Sequence, residues 1–350
     1  MKKMSRTLIA AVLLLVCWQG ACALSLNLDS VAEWGRFPRF CVNTYRWGDH
    51  FFNGYDTTYV VGTGYKFNGK ITTSSWADGY RFVLPNNKYI FMASEPSTSM
   101  GLYLTYLAVS AGYDVNVSKL FGGRATSRKR WRFGFNCMLF AAEIYYIRNN
   151  GETKIRRFGD RKHPAHMNVP FHGIDNKMWG LEAVYFFNHK RYSEAASFNF
   201  SRIQKRSQGA FYLGFSYYHQ DLSFDFRGLP PDLIAILPQN WKNYRFGACT
   251  DNYAIRVGYG FNWVFRPGWL VGVSESPIIG LSKGLINSDS EKVTFSLINR
   301  LKLSIVWNHG RWFAGVTGRL DITMINDQKT TYAGGDVTGE AVFGCRFNLW

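Results

Sequence analysis

The chain has 350 residues, with 41 lysines and arginines against 24 acidic residues, and its net charge is +17. Aromatic residues make up 17% of the chain and charged residues only 19%. No stretch reaches the roughly 20 apolar residues that a membrane-spanning helix needs, which excludes a helical membrane protein. An aromatic-rich chain without continuous apolar runs is typical of a closed β-barrel, because alternation hides half of each strand's hydrophobicity.

The first 23 residues have the pattern of a secretory signal peptide. Three basic residues precede an apolar run over residues 8–16, and a small-x-small cleavage site follows at residues 21–23. Removing those three basic residues from +17 gives the mature chain a net charge of +14. Export disfavours nucleic acid as a partner of this basic protein and leaves lipid headgroups and small anions.

Residues 24–64 have mixed character, and we interpret them as either a periplasmic lead-in or a plug in the mouth of the barrel. Within them, Asp56 is placed to cap a turn before the first strand, with a ligand site as the alternative. From residue 65 to residue 350, apolar and polar residues alternate with the period of two that predicts strands. We read this part as one barrel domain.

The strand count is 14, with 12 as the alternative because segments 80–93 and 143–148 alternate poorly. Residues 192–201 are also predicted to form a strand, and residues 149–176 a long polar loop. The fold class is therefore all-β, a transmembrane antiparallel up-and-down barrel. If the C-terminus is periplasmic, successive strands place the tight turns at 266–268 and 308–310 in the periplasm, where short turns are expected. Counting the predicted strands further back also places the long loop 149–176 in the periplasm. Such a long loop is unexpected there, which indicates that one strand upstream is misassigned.

The C-terminal residues 337–350 predict the closing strand, with apolar side chains on one face and more polar ones on the other. A strand that ends on an aromatic resembles the signal read by the barrel-insertion machinery, and Phe343, Phe347 and Trp350 are the residues predicted to carry it. We therefore expect the protein in the outer membrane of a Gram-negative bacterium, in contact with lipid and lipopolysaccharide, and assembled by that machinery.

Basic residues on the polar strand faces are predicted to line the lumen, since an Arg or Lys at mid-depth in lipid costs about 2–4 kcal/mol. The predicted basic wall consists of Arg256, Lys292, Arg300, Lys302, Arg319 and Arg346. Two interpretations remain open. The wall could select small anionic solutes in a passive channel or transporter, or pair with acids such as Glu182 and Asp321 in a non-conducting barrel that partners with envelope or surface complexes.

No pattern predicts an enzyme, a metal site or a cofactor. His219 with Ser216 or Ser223 is the arrangement closest to an outer-membrane hydrolase, but no orienting acid accompanies it in the sequence. Three histidines at 163, 166 and 172 lie among basic residues that oppose a dication. The mature cysteines are predicted to be free, with Cys137 and Cys345 on apolar strand faces.

Five stretches together resemble a family of uncharacterised Bacteroidota outer-membrane barrels that carries a "domain of unknown function" label. They are residues 55–60, 101–117, 185–193, 196–215 and 259–265. The resemblance covers nearly the whole mature chain. It implies an outer-membrane barrel and brings no established activity.

Overall fold

A computed structural model describes most of the chain from residue 54 onward. The described ranges are 54–83, 88–106, 109–118, 129–149, 153–160, 164–171, 174–236, 245–286, 292–327 and 330–348, with isolated positions between 33 and 43. The signal peptide, most of segment 24–64 and Trp350 lie outside the described residues. The predictions made for them stay predictions.

The chain divides into two compact units. In the unit of Met1–Phe51 with Asn348–Trp350, the Arg39 amide donates to the Gly35 carbonyl at 3.1 Å. The other unit, Phe52–Phe347, contains all the strands described below. Among the described residues, no helix is long and apolar enough to cross a membrane.

The second unit is almost entirely strand. In chain order the strands are β1 (Val60–Gly62), β2 (Phe67–Val83), β3 (Lys88–Ser94), β4 (Ser97–Tyr106), β5 (Val109–Asn116), β6 (Lys129–Asn136), β7 (Phe140–Asn149), β8 (Thr153–Asp160), β9 (Pro164–Phe171), β10 (Ile174–Phe186), β11 (Arg202–Gln204), β12 (Gln208–Asp225), β13 (Arg245–Arg266), β14 (Trp269–Ile286), β15 (Lys292–His309), β16 (Trp312–Asp327) and β17 (Thr330–Phe347). Short helical pieces lie at Ala195–Asn199, Phe226–Gly228 and Pro231–Ile236.

The main sheet closes on itself. Its 15 strands follow the order β17, β16, β15, β14, β13, β12, β10, β7, β6, β5, β4 and β2, from which β3, β8 and β9 branch off, and β17 also pairs with β2. The closing ladder runs from Phe347 against Phe67 to Thr331 against Val83. Removing the three branch strands from 15 leaves 12 in the ring, and every pairing in it is antiparallel, which confirms the predicted fold class.

Strands β3 and β4 form one broken strand opposite β2. β2 pairs with β3 over residues 79–83 and with β4 over residues 67–76, and Glu95-Pro96 separates the two partners. Proline lacks the amide donor that a continuous ladder needs. Beyond the break, β3 pairs with β8, and β8 pairs with β9. The predicted loop at 149–176 is therefore wrong in part, since it contains a β-hairpin.

Side chains alternate between the outside and the lumen, as the period of two requires. On the outside of β13, Tyr253, Ile255 and Val257 are 50–58% exposed, whereas the neighbouring inward residues Ala254 and Arg256 are buried. We call the barrel end with the tight turns at residues 267–268 and 310–311 the turn end, and the opposite end the loop end.

Residues 192–204, which we call the inner segment, fold into the lumen at the turn end. They connect β10 to β12, contain the π-helical turn Ala195–Asn199 and end in β11, which pairs with β1. The predicted strand at 192–201 is wrong, because Ala195–Asn199 form a π-helical turn and the consecutive residues Ala195, Ala196 and Ser197 are all buried instead of alternating between two faces. With one crossing strand fewer, the segment 149–176, which contains β8 and β9, lies at the loop end of the barrel and not at the end with the tight turns. The conflict over the side on which this segment lies is thereby removed.

The two faces of β16 should respond differently to charge. Val316 points outward and is 58% exposed, while Thr317 points into the lumen opposite Glu340. For the protein refolded into lipid vesicles, we expect Val316→Arg to lower the free energy of unfolding by about 2–4 kcal/mol. Thr317→Arg, its matched control, should cost far less because Glu340 can pair with it. Equal losses in urea unfolding would contradict this assignment of faces.

Candidate functional site

Five charged side chains meet in the middle of the lumen, and we call them the ionic network: Glu182, Arg256, Arg300, Arg319 and Asp321. Arg300 is at its centre. Its Nη1 and Nη2 donate to Glu182 Oε2 and Oε1 at 2.6 and 3.1 Å, and its Nε and Nη2 donate to Asp321 Oδ1 and Oδ2 at 2.9 and 3.1 Å. The planar guanidinium thus binds two carboxylates at once, the geometry in which arginine pairs most strongly.

The network spans the lumen because its members lie on separate strands. Glu182 lies on β10, Arg300 on β15, and Arg319 with Asp321 on β16. Arg319 donates to Asp321 Oδ2 from Nε at 2.9 Å. Arg256, on β13, reaches Glu182 at 3.7 Å and donates to the Ser276 hydroxyl at 2.8 Å. Charges drawn from opposite parts of the ring therefore tie the barrel walls together.

Two chambers flank the ionic network. The turn-side chamber has a volume of about 240 Å³, and the loop-side chamber about 150 Å³. Cations exceed acids around the first, where Lys70, Arg132, Arg256, Arg300, Lys302 and Arg319 face Glu143, Glu182, Glu194 and Glu340. Acids exceed cations around the second, where Asp78, Glu143, Glu182, Asp321 and Asp336 face Arg132, Arg300 and Arg319.

The structure brings four members of the predicted basic wall together around the turn-side chamber: Arg256, Arg300, Lys302 and Arg319. Arg346 lies elsewhere, at the turn end, where it is 1% exposed, donates to the Phe200 carbonyl at 2.8 Å and stacks over Phe313. The Lys292 side chain lies outside the described part of the structure.

Sequence reasoning missed the acid that pairs with Lys302. Glu194 Oε1 accepts a hydrogen bond from Lys302 Nζ at 2.6 Å, and Lys302 also stands 4.1 Å from the centre of the Phe198 ring. Both partners lie within residues 192–201, for which the sequence predicts a strand. The run Glu-Ala-Ala-Ser at 194–197 has low strand propensity, and this is the feature of the sequence that argues against a strand here.

Apolar side chains occupy both ends of the lumen. At the loop end, Phe82, Ile90, Met92, Phe158 and Leu233 belong to one buried cluster. At the turn end, the Phe200 ring of the inner segment stacks on Phe313 with centroids 5.4 Å apart. Asn262 on β13 donates to the Ser193 carbonyl at 2.9 Å and accepts from the Ser197 hydroxyl. The inner segment is therefore bonded to the wall through both polar and apolar contacts.

Two of the predicted assembly residues lie on the closing strand. Phe343 points outward, is 52% exposed and stacks on Trp312 with centroids 5.5 Å apart. Phe347 stacks on Phe67 of β2, also at 5.5 Å. The Phe67–Phe347 contact therefore joins the first and last strands of the ring.

Asp56 caps a turn, as predicted. Its Oδ1 accepts hydrogen bonds from the Thr58 hydroxyl at 2.6 Å and the Thr58 amide at 2.9 Å. The hydrogen bond from the Thr58 hydroxyl, and after it the bond from the Thr58 amide, lower the pKa of Asp56 below its usual value.

Among the described residues, no group of three or more His, Cys, Asp or Glu side chains could hold a metal ion.

Breaking the ionic network should be costly. The Arg300 and Glu182 side chains are only 7% and 12% exposed, so Glu182→Gln leaves a buried guanidinium with one carboxylate fewer. We expect the free energy of unfolding in vesicles to fall by about 3 kcal/mol or more. The control is the surface pair Lys177–Asp221, at 43% and 53% exposure, where Asp221→Asn should change it by at most about 1 kcal/mol. Equal effects of the two substitutions would refute a structural role for the network.

Several solved outer-membrane proteins are similar to the chain in structure. The outer-membrane protease OmpT from Escherichia coli is 7% identical, with a TM-score of 0.34, over 80% of this chain and 96% of its own. The toluene transporter TodX from P. putida is 6% identical, with a TM-score of 0.26, over 81% and 91%. The monoaromatic hydrocarbon channel CymD is 8% identical, with a TM-score of 0.29, over 81% and 89%. These values express a likeness of fold alone.

No curated protein sequence matches the chain. Residues 54–347 match the model of one family, which is described as a domain of unknown function, DUF4421. The match starts just before β1 and ends at the last residue of β17, so it includes the whole closed ring. The chain belongs to the DUF4421 family.

Proposed function

We propose that this protein is an outer-membrane β-barrel whose lumen is closed, and that it acts as a structural or interaction barrel instead of a passive pore. The observation that carries the proposal is the double pairing of Arg300 with Glu182 and Asp321 across the lumen. A solute that moved through the centre would have to separate buried opposite charges, which costs several kcal/mol.

The outward face supports a place in the outer membrane of a Gram-negative bacterium. On β13 the outward row runs from Tyr253 to Phe265 without a charged side chain, and aromatic residues stand at both of its ends. Aromatic girdles around an apolar band are typical of outer-membrane barrels. The proposal includes a periplasmic turn end, contact with lipid and lipopolysaccharide, and delivery by the barrel-insertion machinery. It also assigns residues 1–23 to a signal peptide, 24–64 to a lead-in or plug and 65–350 to the barrel.

The interaction role is supported by a polar pair on the lipid-facing surface. Glu275 is the midpoint of the outward row of β14, which runs from Trp269 to Leu281, and the Asn299 amide donates to its carboxylate at 3.4 Å. Pro277, two residues further on, interrupts the ladder with β13. A carboxylate at mid-depth is unfavourable in lipid. A membrane-embedded partner with a donor or a cation at this depth would remove that cost.

A gated passage for small anions is the second candidate. Lys70, which lines the turn-side chamber, contacts the Tyr103 and Phe200 rings at 5.3 and 5.7 Å. Within the described residues, no carboxylate lies within salt-bridge distance of its ammonium group. A small anion in the chamber would satisfy this charge. Passage would require the inner segment and the ionic network to move.

The purified wild-type protein should form no steady pores in planar bilayers. Replacing residues 189–206 with a two-residue turn, together with Arg300→Ala, removes the inner segment with Glu194 and the centre of the ionic network, and we expect this variant to conduct. Because Lys302 then lacks its Glu194 partner, and Lys70 has no carboxylate within salt-bridge distance among the described residues, the current should favour anions at low salt. The preference should fade at about 1 M salt, where the screening length is about 3 Å.

A chain with the same short turn in place of residues 287–291 is the control, since it keeps the inner segment. It should stay as closed as the wild type. Steady wild-type conductance equal to that of the 189–206 variant would overturn the closed-lumen proposal and leave the channel as the better account.

Glu275→Leu should stabilise the isolated barrel. The substitution removes a carboxylate from the lipid-facing row, so the free energy of unfolding in vesicles should rise, by up to about 2 kcal/mol. Asn299→Leu tests the other half of the pair and should leave Glu275 without its donor, lowering stability. Loss of stability in Glu275→Leu would mean that Glu275 serves the barrel itself and not a partner.

A further inference from the structure

His219, Asp251 and Cys249 form a cluster on the outside of the barrel near the loop end; we call it the outer triad. His219 lies on β12 and is the direct cross-strand partner of Asp251 on β13. Cys249 precedes Asp251 by two residues, so both point to the same outward face. The acid that His219 lacks in the sequence is therefore supplied by the neighbouring strand.

The contacts arrange the three side chains in the order acid, imidazole, thiol. Asp251 Oδ1 lies 2.9 Å from His219 Nδ1 and also accepts a hydrogen bond from the Tyr217 hydroxyl at 2.9 Å. The other ring nitrogen, Nε2, lies 4.0 Å from Cys249 Sγ. A carboxylate at Nδ1 keeps the proton on that nitrogen, which leaves the Nε2 lone pair free to take the thiol proton.

The cluster is ordered and reachable. The Trp179 ring stacks on the imidazole at 6.0 Å, and the Tyr217 hydroxyl holds the carboxylate, so both partners of the thiol are fixed by neighbours. The His219 and Asp251 side chains are 32% and 44% exposed, and Cys249 is a free, exposed thiol. By contrast, Cys137 is buried and hydrogen-bonded to the Phe140 carbonyl.

The position of the triad limits its substrate. On β12 the outward row changes from apolar to polar between Tyr217 and His219, and on β13 between Tyr253 and Asp251. Outward-facing charges follow: Lys283 lies opposite Asp251, and Lys177, two residues beyond Trp179, pairs with Asp221 at 4.0 Å. If the barrel spans the outer membrane as proposed above, this level is that of the lipid headgroups, where ester carbonyls lie beside negatively charged groups.

We propose that the outer triad is a catalytic site that takes an acyl group from the ester of a membrane amphiphile. Cys249 is the nucleophile, His219 the general base and acid, and Asp251 a positioning residue that holds the imidazole. Lys283, opposite Asp251 on the neighbouring strand, is placed to attract the negative headgroup to the site.

The reaction balances without a further reactant except water. His219 Nε2 takes the Cys249 proton as Sγ attacks the ester carbonyl, which forms the C–S bond. The C–O bond then breaks, and the imidazolium returns the proton to the leaving alkoxide, giving an alcohol and an acyl-thioester on Cys249. Water, deprotonated by His219, attacks the thioester, so that a fatty acid leaves and the thiol is restored.

The test uses the full mature chain refolded into two kinds of vesicle, one containing phosphatidylethanolamine and the other containing lipid A. Comparing the two distinguishes a phospholipid ester from a lipid A ester as the source of the acyl group. Mass spectrometry after acid quenching should find an acyl adduct on Cys249 with at least one of them. Cys249→Ala should abolish the adduct, and His219→Asn should slow its formation about 10²-fold or more, as loss of a general base does. Both variants should still run as folded, heat-modifiable barrels.

The positioning role of Asp251 is tested by a measurement that a merely structural role would leave unchanged. Asp251→Asn should raise the pH at which iodoacetamide alkylates Cys249 at half its maximal rate, and Asp251→Glu should restore it. Cys345, outward-facing on β17, is the control thiol and should not change. Absence of an acyl adduct from both vesicle types would overturn the proposal. Failure of the chain to insert into vesicles would instead overturn the membrane location.

Discussion

Closure of the sheet between β2 and β17 is the constraint on which the other features depend. The ladder from Phe67–Phe347 to Val83–Thr331 joins the last strand to the first, so neither of these two strands is a free edge of the sheet. Once the ring is closed, each strand must present alternate residues to the outside and to the lumen. The apolar outer band and the charged interior are two results of this single condition.

Charges confined to a narrow lumen have to be paired. Arg300 binds Glu182 and Asp321, and Lys302 binds Glu194, so cations that would suit an anion pore are largely neutralised by neighbouring acids. The inner segment contributes Glu194 and covers the turn end with Phe200. Pairing and covering act together: the same segment that narrows the lumen also supplies one of its acids. The lumen-facing basic residues suggest conduction when only the sequence is considered. Once they are seen to be paired with acids across the lumen, they are the main reason to expect a closed barrel.

The regular strands could be predicted from the sequence because alternation is a local property. Residues 253–265 carry apolar side chains at every second position, residues 293–307 do so except at Asn299, and their faces lie as predicted. The inner segment could not, since Phe198 and Phe200 alternate with polar residues just as strand residues do. Pairings across the ring were also out of reach, because Glu182 and Arg300 are 118 residues apart. The outer triad depends in the same way on register, which alone brings Asp251 beside His219.

The closed lumen is tested most directly by a disulfide between the inner segment and the wall. The Ser197 hydroxyl donates to Asn262 on β13, so Ser197→Cys with Asn262→Cys, in a chain whose native cysteines are replaced by Ser, places two thiols in contact. If the inner segment occupies the lumen, the two cysteines will cross-link on oxidation of intact cells and resist alkylation by a membrane-impermeant maleimide. Free alkylation of both thiols, without a cross-link, would contradict the account.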